Sequence, residues 1–553
     1  MGECFQSTPV VSCGTLSPIS HLPSNMSRWL NRAGPLVLAV GIGLRGVRLL
    51  ESRPLWLDEV LIALNVLTRT PLQLLRPLDD KQLSPLGFLW GEWLVTRLGG
   101  FGERAFRFLP FVAAIVALFV FARLARRMLP PGVALLATAL AALSPLLIYY
   151  SAEVKSYGFD WLAAVLLMHA TLKVADGESD VAWVHWALAA AFASMFSTAA
   201  PFVVGGCALA LLTVSHVRQP RAMLRLTAAS AVAAAIFGVH LFTVYHSSST
   251  TSFMQLYWGE MFLEPRVPAA LSHLVRLARE FWSAVLFSEG IIPALPRKTM
   301  TFLVALSAVG IVSLARRSPA MAVMLVAPAL AVGVASLLEL WPLTPRLLLF
   351  AAPAVLITMP AGLHAVAQLA PGRVRGLAIG IASAALVVTA AIAMRRDWSA
   401  TRRFAQVPEA LRLIAANAGQ NATVYMSSDL EAPCKYYLVW HPDRAALGGD
   451  PSTHGCSITD TRTVIGKWPQ FVGVAPGAAT SRPKVIRPEW LESEGRRILS
   501  EPTTEVWLVI GYNTPGPSPL PQWLEAAGAK QVAEQGWRTL HIWTYQTPPI
   551  GGR

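Results

Sequence analysis

The chain has 553 residues, of which 54% are hydrophobic and only 14% are charged, so it is too apolar to be a water-soluble globule. Its formal net charge of +14 would suit a nucleic-acid partner. However, the arginines cluster at the ends of apolar runs, where the preference for positive cytoplasmic loops places them. The composition therefore predicts a polytopic membrane protein that has membrane lipids and no nucleic acid as partners.

Residues 1–25 are polar and lack the apolar core of a signal peptide, so we expect a disordered N-terminus. Translation from Met26 is an open alternative. The run Pro35–Leu50 that follows is expected to be an uncleaved signal-anchor span.

Residues 26–396 are predicted to form an α-helical membrane domain with about 11 to 13 transmembrane helices. Two stretches account for that range: Leu86–Leu98, expected to lie as a helix in the membrane interface, and Phe281–Leu295. The clearer spans are Pro35–Leu50, Phe106–Ala122, Val133–Tyr150, Phe159–Val174, Val181–Phe196, Phe202–Val214, Leu226–Val244, Thr301–Leu314, Met321–Leu338, Leu347–Leu363 and Leu377–Met394.

Arginine placement predicts the topology. With a cytoplasmic N-terminus, the groups Arg123–Arg127 and Arg316–Arg317 fall on the cytoplasmic side. The long first loop 51–104, the turn Ser151–Tyr157 and everything after Asp397 then lie outside. The many spans and the Ala- and Arg-rich composition are typical of a multi-pass protein of the bacterial inner (plasma) membrane.

Residues 397–553 have the composition of a soluble domain, which this topology places in the periplasm as a small α/β layer. If that compartment is oxidising, Cys434 and Cys456 are the pair that could form a disulfide, because Cys207 lies within a span. The predicted elements are a helix at Pro408–Ala418, a strand at Ala422–Ser427, a helix at Cys434–Trp440, a strand at Glu505–Gly511, a helix at Gln522–Gln535 and a strand at Thr539–Tyr545.

Polar residues gather on the predicted outer face in several short segments. A carboxylate beside the hydrocarbon boundary costs free energy, which favours a binding or catalytic role, although acids also cap spans or lie solvated in loops. Tyr157 has a plainer interpretation too, as an aromatic anchor at the interface. The segments are Asp58-Glu59, Asp79 to Gln82, Ser151 to Tyr157 and Pro345-Arg346.

The order of these segments resembles that of the C-type glycosyltransferase superfamily, and within it bacterial relatives of protein O-mannosyltransferases and lipid A aminoarabinose transferases (glycosyltransferase family 39-like). The resemblance covers roughly Met26 to Met394, with Ser84 where a proline is usual and Lys155 where an arginine is frequent. The matching segments are Asp58-Glu59, Asp79 to Leu86, Glu103 to Pro110 (a Glu-x-x-x-Arg-x-x-Pro pattern), Pro145 to Tyr157 and Pro345-Arg346.

The resemblance implies transfer of one sugar from a polyprenyl-phosphate donor to an acceptor hydroxyl on the outer face. Inversion at the anomeric carbon needs a carboxylate that accepts the hydroxyl proton, for which we choose Asp58. The departing lipid phosphate needs cationic donors, first Arg346 and then Lys81 and Lys155. Further candidate substrate-binding residues are Glu59, Asp80, Glu153 and Tyr157.

Carboxylate oxygens such as those of Asp58 and Glu153 would suit a divalent cation, magnesium or manganese, but we predict no obligatory cofactor. The acceptor stays open between a lipid, a polysaccharide and a protein. Two other functions remain possible for such a chain: a transporter or flippase of a lipid-linked glycan, and an oligosaccharide ligase or polymerase. The absence of a convincing internal repeat in the sequence disfavours the transporter.

Overall fold

The computed structural model describes residues 24–51, 53–177, 179–245, 255, 257–287, 297–399, 406–420, 422–449, 456, 462–465, 488–501, 503–511, 519–537 and 540–547. The disordered N-terminus expected at residues 1–25 lies almost wholly outside this part of the chain. So does the end of the uncertain stretch Phe281–Leu295.

Helices of 5 to 28 residues make up most of the described part of residues 24–399. They are α1 (Ser24–Leu50), α2 (Leu57–Thr68), α3 (Leu86–Gly99), α4 (Glu103–Met128), α5 (Pro131–Leu143), α6 (Pro145–Tyr149), α7 (Tyr157–Asp176), α8 (Asp180–Phe196), α9 (Ala200–Leu212), α10 (Pro220–His240), α11 (Val267–Leu286), α12 (Arg297–Arg317), α13 (Pro319–Leu337), α14 (Ala352–Ala367) and α15 (Gly372–Ser399).

Proline starts many of these helices, because its missing N–H is not needed in the first turn and its fixed φ suits a helix. It stands in the first turn of α5, α6, α9, α10 and α13. Ser144, which precedes Pro145, has a non-helical ψ of 115° and so separates α5 from α6. The chain bends by 50° at this break.

Eight helices in the described part of the chain are long and apolar enough to cross a membrane, or nine if the bent pair is one span. The predicted class of polytopic helical membrane protein is confirmed. Nine is fewer than the eleven clearer spans expected from the sequence, because α8 has 17 residues and α9 has 13, fewer than the roughly 20 that a bilayer requires. Both helices coincide with predicted spans.

The span containing α7 is the centre of the membrane domain: 78% of its most apolar window is buried, against 17% for α1 and 11% for α15.

Close contact between α12 and α14 depends on glycine. The carbonyl of Thr358 on α14 occupies the place where a Cβ at Gly310 of α12 would lie, and the carbonyl of Leu306 does the same at Gly362. Small residues allow this approach, as is common between membrane helices.

The chain after α15 forms one mixed sheet with flanking helices. The strand order is β2-β1-β3-β5-β4. Strands β2, β1 and β3 run parallel to one another, and β5 runs antiparallel to both of its neighbours, β3 and β4. The elements are α16 (Val407–Asn417), β1 (Thr423–Met426), α17 (Glu431–Lys435), β2 (Arg462–Ile465), α18 (Pro488–Leu499), β3 (Glu505–Ile510), α19 (Leu520–Ala526), β4 (Lys530–Gly536) and β5 (His541–Gln546).

One predicted element of this region is wrong in its second half. The helix expected at Gln522–Gln535 ends at Ala526, and Lys530–Gly536 forms a strand instead. Gly528 adopts a left-handed φ of 90°, which ends the helix, and the segment beyond it pairs with β5. The disulfide considered from the sequence is present, with the Cα atoms of Cys434 and Cys456 5.4 Å apart.

Candidate functional site at the start of helix α2

The start of α2 places two carboxylates in its first turn. Trp56 precedes the helix in an extended conformation, and Asp58 and Glu59 follow it directly. Negative charge is favoured there by the helix dipole. The N–H of Trp56 donates to Oε2 of Glu59 at 3.2 Å, which closes the first turn and fixes the two carboxylates on different sides of the helix.

Glu59 is fully buried and bound to Arg107 of α4 through two parallel hydrogen bonds, Nε to Oε1 at 3.0 Å and Nη2 to Oε2 at 2.7 Å. The N–H of Val154 also donates to Oε1 at 3.0 Å. Burial opposes the charged form of Glu59, but Arg107 and Arg53 hold its pKa below the usual value. Its oxygens are thus occupied by protein donors, which favours a positioning role over substrate contact.

Asp58 faces a different environment, beside Arg346. Oδ2 of Asp58 lies 3.8 Å from Nη1 of Arg346, and their side chains are 31% and 20% exposed. The Arg346 guanidinium also stacks over Trp258, 4.9 Å from the ring centroid. A separation of 3.8 Å is too long for a hydrogen bond, so charge holds the pair together while donor and acceptor sites remain for a ligand.

Glu153 lies in the turn between α6 and α7 and is buried. Its Oε1 accepts a hydrogen bond of 3.1 Å from Nε1 of Trp56, whereas Oε2 has no partner among the described residues. Burial, and then the charge of Glu59, raise the pKa of Glu153 to about 7, although Arg53 and Arg346 oppose this shift. A buried carboxyl with one unused oxygen can accept from, or donate to, a bound hydroxyl.

Lys155 joins this turn to the first loop, since its Nζ donates to Oε1 of Gln82 at 2.9 Å. Burial lowers the pKa of Lys155, while Asp58 acts in the opposite direction. Tyr157 follows, packed edge-on against Tyr150 with ring centroids 5.0 Å apart.

Asp80 and Lys81 lie in a short 3-10 turn of the first loop and both adopt a left-handed φ, of 55° and 56°. Such backbone strain in residues other than glycine persists only where the surroundings impose it. Asn65 of α2 supplies that restraint, because its Oδ1 accepts from the N–H of Asp79 at 2.9 Å. Asn65 is seven residues beyond Asp58, about 10 Å further along nearly the same helix face.

The structure therefore collects Asp58, Glu153, Lys155 and Arg346 near the start of α2, with Asp80 and Lys81 further along that helix. No group of three or more His, Cys, Asp or Glu side chains able to hold a metal ion occurs within the described residues. Magnesium is commonly bound by one or two carboxylates together with substrate phosphates, and Asp58 and Glu153 are residues of that type.

Sequence reasoning did not single out several residues of this cluster. Arg107 is the arginine of the Glu-x-x-x-Arg-x-x-Pro pattern at Glu103 to Pro110, and that position is the sequence signal that could have identified it as a site residue. Arg53, which donates to the Ala152 carbonyl at 2.8 Å and stacks on Tyr149, gave none, nor did Gln82 as the partner of Lys155. These pairings join residues about 70 to 100 positions apart, which no local pattern predicts.

Residues 84–242 match the family model described as dolichyl-phosphate-mannose-protein mannosyltransferase. This match confirms the resemblance to C-type glycosyltransferases that the sequence motifs indicated. Together with the helical fold, it supports a glycosyltransferase with several transmembrane helices. No curated protein sequence matched the chain.

Solved structures that resemble this chain include ArnT from Cupriavidus metallidurans, in the apo state and bound to undecaprenyl phosphate. Each is 15% identical over 94% of this chain and 98% of the other, with a TM-score of 0.47. The Archaeoglobus fulgidus oligosaccharyltransferase tethered to an acceptor peptide is 14% identical over 73% of this chain, with a TM-score of 0.46. The match spans 62% of that enzyme's length.

Proposed function

We propose that this protein transfers a monosaccharide, with inversion, from a polyprenyl-phosphate donor to an acceptor hydroxyl on the periplasmic face of a bacterial inner membrane. The observation that carries the proposal is the partly exposed pair of Asp58 and Arg346, 3.8 Å apart. One member can accept a proton and the other can bind an anion, and both remain accessible to a ligand.

Asp58 is the proposed general base. It lies in the first turn of α2, where the helix dipole stabilises its carboxylate. In an inverting transfer the acceptor oxygen attacks the anomeric carbon as its proton moves to Asp58, and the bond from that carbon to the phosphate oxygen breaks. The phosphate leaves with the electron pair of that bond, so it departs as a stable anion that needs little protonation.

Arg346 is the proposed phosphate ligand, with Lys155 and Lys81 assisting. A guanidinium can bind two phosphate oxygens at once, and its stacking on Trp258 holds the plane of the fork. Arg346 is the second residue of the span Pro345–Ala367, which would place it at the membrane surface, the level of a lipid phosphate.

Glu153, Asp80 and Tyr157 are the proposed sugar- or acceptor-binding residues, with the unused Oε2 of Glu153 as the best placed oxygen. Glu59, assigned from the sequence to substrate binding, is better explained as the residue that fixes the start of α2 on Arg107. We propose no obligatory cofactor. If magnesium or manganese takes part, Asp58 and Glu153 would hold it.

The decisive experiment is sugar release from a panel of polyprenyl-phosphate monosaccharides by the protein in nanodiscs, with extracted envelope as acceptor. Asp58→Asn should lose at least a hundredfold in turnover, as expected for loss of a general base. The matched control is Asp180→Asn, which removes an exposed carboxylate paired with Arg225. Product size separates transfer of one sugar from that of an oligosaccharide.

Equal turnover of Asp58→Asn and Asp180→Asn would refute the assigned base. If no donor is consumed while labelled lipid crosses the bilayer, the protein is a transporter and the proposed function is wrong.

A further inference from the structure

The soluble domain contacts the loop that carries the candidate base. Helix α17 and the π-helical turn Tyr436–Trp440 pack against α2 and the start of α4. Two neighbouring tyrosines make the contact. Tyr436 donates from its hydroxyl to the carbonyl of Phe101 at 2.7 Å, and its ring lies edge-on to Phe106 at 6.2 Å.

Tyr437 connects the domain to the segment just before α2. Its hydroxyl accepts a hydrogen bond of 2.8 Å from the N–H of Leu55 and donates one of 3.2 Å to Oε1 of Glu103. The other oxygen of Glu103 lies 3.2 Å from Nε2 of His441. Tyr437 and Leu55 are both fully buried, so water cannot replace the hydroxyl as partner of that N–H.

Leu55 stands directly before Trp56, the residue that caps α2 and also binds Glu153. The carbonyls of the two preceding residues, Arg53 and Pro54, are held by Arg107 from the membrane domain. The backbone entering α2 is therefore fixed by two anchors, one from α4 and one from the soluble domain. Asp58 is the third residue after the second anchor at Leu55.

A covalent brace stiffens that second anchor. Cys434 of α17 is bound to Cys456, and it lies three residues before Tyr437. The disulfide ties α17 to Cys456, whose sulfur lies 3.8 Å from that of Met426 in β1, and so limits how far Tyr437 can move from Leu55.

We propose that the soluble domain is a working part of the transferase site, with Tyr437 as a positioning residue that fixes the entry to α2 and thereby the direction of the Asp58 carboxylate. This inference rests on the proposed role of Asp58 as base. It assigns the domain a part in the chemical step in addition to any role in binding the acceptor.

The test is Tyr437→Phe, which keeps the ring and removes one hydroxyl. Its matched control is Tyr425→Phe, a fully buried tyrosine of the same domain whose hydroxyl bonds to Glu494 within that domain. Two readouts are needed: hydrogen–deuterium exchange of peptides covering residues 53–60 in nanodiscs, and kcat and KM for the donor.

We expect Tyr437→Phe to exchange faster at residues 53–60 and to lose roughly tenfold in kcat with KM for the donor unchanged, the size of effect that one buried hydrogen bond supports. Tyr425→Phe should match wild type in both readouts. The value of kcat is expressed per folded molecule, because loss of folded protein alone would lower the apparent kcat and leave KM unchanged.

Unchanged exchange at residues 53–60 in Tyr437→Phe would overturn the proposed contact, and faster exchange with unchanged kcat would overturn its part in catalysis. Exchange does not depend on turnover, so a failure of the proposed function is recognised separately, by wild type consuming no donor.

Discussion

Removal of Arg107 should leave the fully buried carboxylate of Glu59 without its counterion. Arg107 makes four hydrogen bonds, two to Glu59 and one each to the carbonyls of Arg53 and Pro54. Loss of one partner of a buried ion pair costs about 3–5 kcal/mol, because the remaining charge is desolvated and unpaired. We therefore expect Arg107→Leu to lower the free energy of unfolding by that amount.

The contribution of Glu59 to stability should also depend on pH in the opposite sense in this variant. Arg107 and Arg53 hold the pKa of Glu59 below its usual value, so its stabilising contribution is present above the unfolded-state pKa and is lost as acid protonates the carboxylate. Without Arg107, burial raises that pKa. The deficit of Arg107→Leu should then be largest near pH 8 and shrink towards pH 5.

Thermal unfolding in detergent at several pH values measures both effects. The control is Arg104→Leu, one turn earlier on α4, where the side chain is exposed and makes one hydrogen bond to the Leu50 carbonyl. The double variant of Glu59→Gln and Arg107→Leu should lose less than the sum of the two single changes. Additive losses, or an Arg107→Leu no weaker than Arg104→Leu, would refute the assignment of this pair as the anchor of α2.

Three further outcomes are expected. Because burial raises the pKa of Glu153 to about 7, wild-type stability should fall as pH rises from about 5 to 7, and Glu153→Gln should remove that fall in melting temperature. Gly310→Ala should destabilise the protein by roughly 1–3 kcal/mol, since its Cβ would meet a neighbouring backbone, whereas Gly333→Ala, which meets open space, should not; equal melting temperatures would contradict this packing. Replacement of Cys434 and Cys456 by serine, a 22-residue separation, should cost about 3 kcal/mol, and reductant should lower the melting temperature of wild type but not of the variant.

The membrane fold could be predicted from the sequence because each span is marked by local features, a run of apolar residues and arginines at its ends. Every predicted span coincides with a helix in the structure. The soluble domain was harder to predict, because propensity alone could not show that the chain after Gly528 turns back to pair with β5.

Several residues of the candidate site could be predicted from the sequence, but their contacts with one another could not. Asp58, Glu153 and Arg346 stood out as polar residues at the edges of apolar runs. Whether a carboxylate is occupied by the protein or left for a ligand depends on the partner that folding brings to it. Glu59 and Asp58 are adjacent in the chain, and only the structure shows that Arg107 saturates the first while the second remains accessible.

Strand β4 ends the sheet at one side, and each of its seven residues is exposed. An unpaired strand edge invites hydrogen bonding by another chain, and proteins confined to a membrane meet one another in two dimensions at high local density. Here the edge carries Lys530 and Glu534, and its pairing with β5 is interrupted by a register shift between Gln531 and Ala533. Neighbouring copies can thus crowd the same bilayer without joining their sheets into a continuous aggregate.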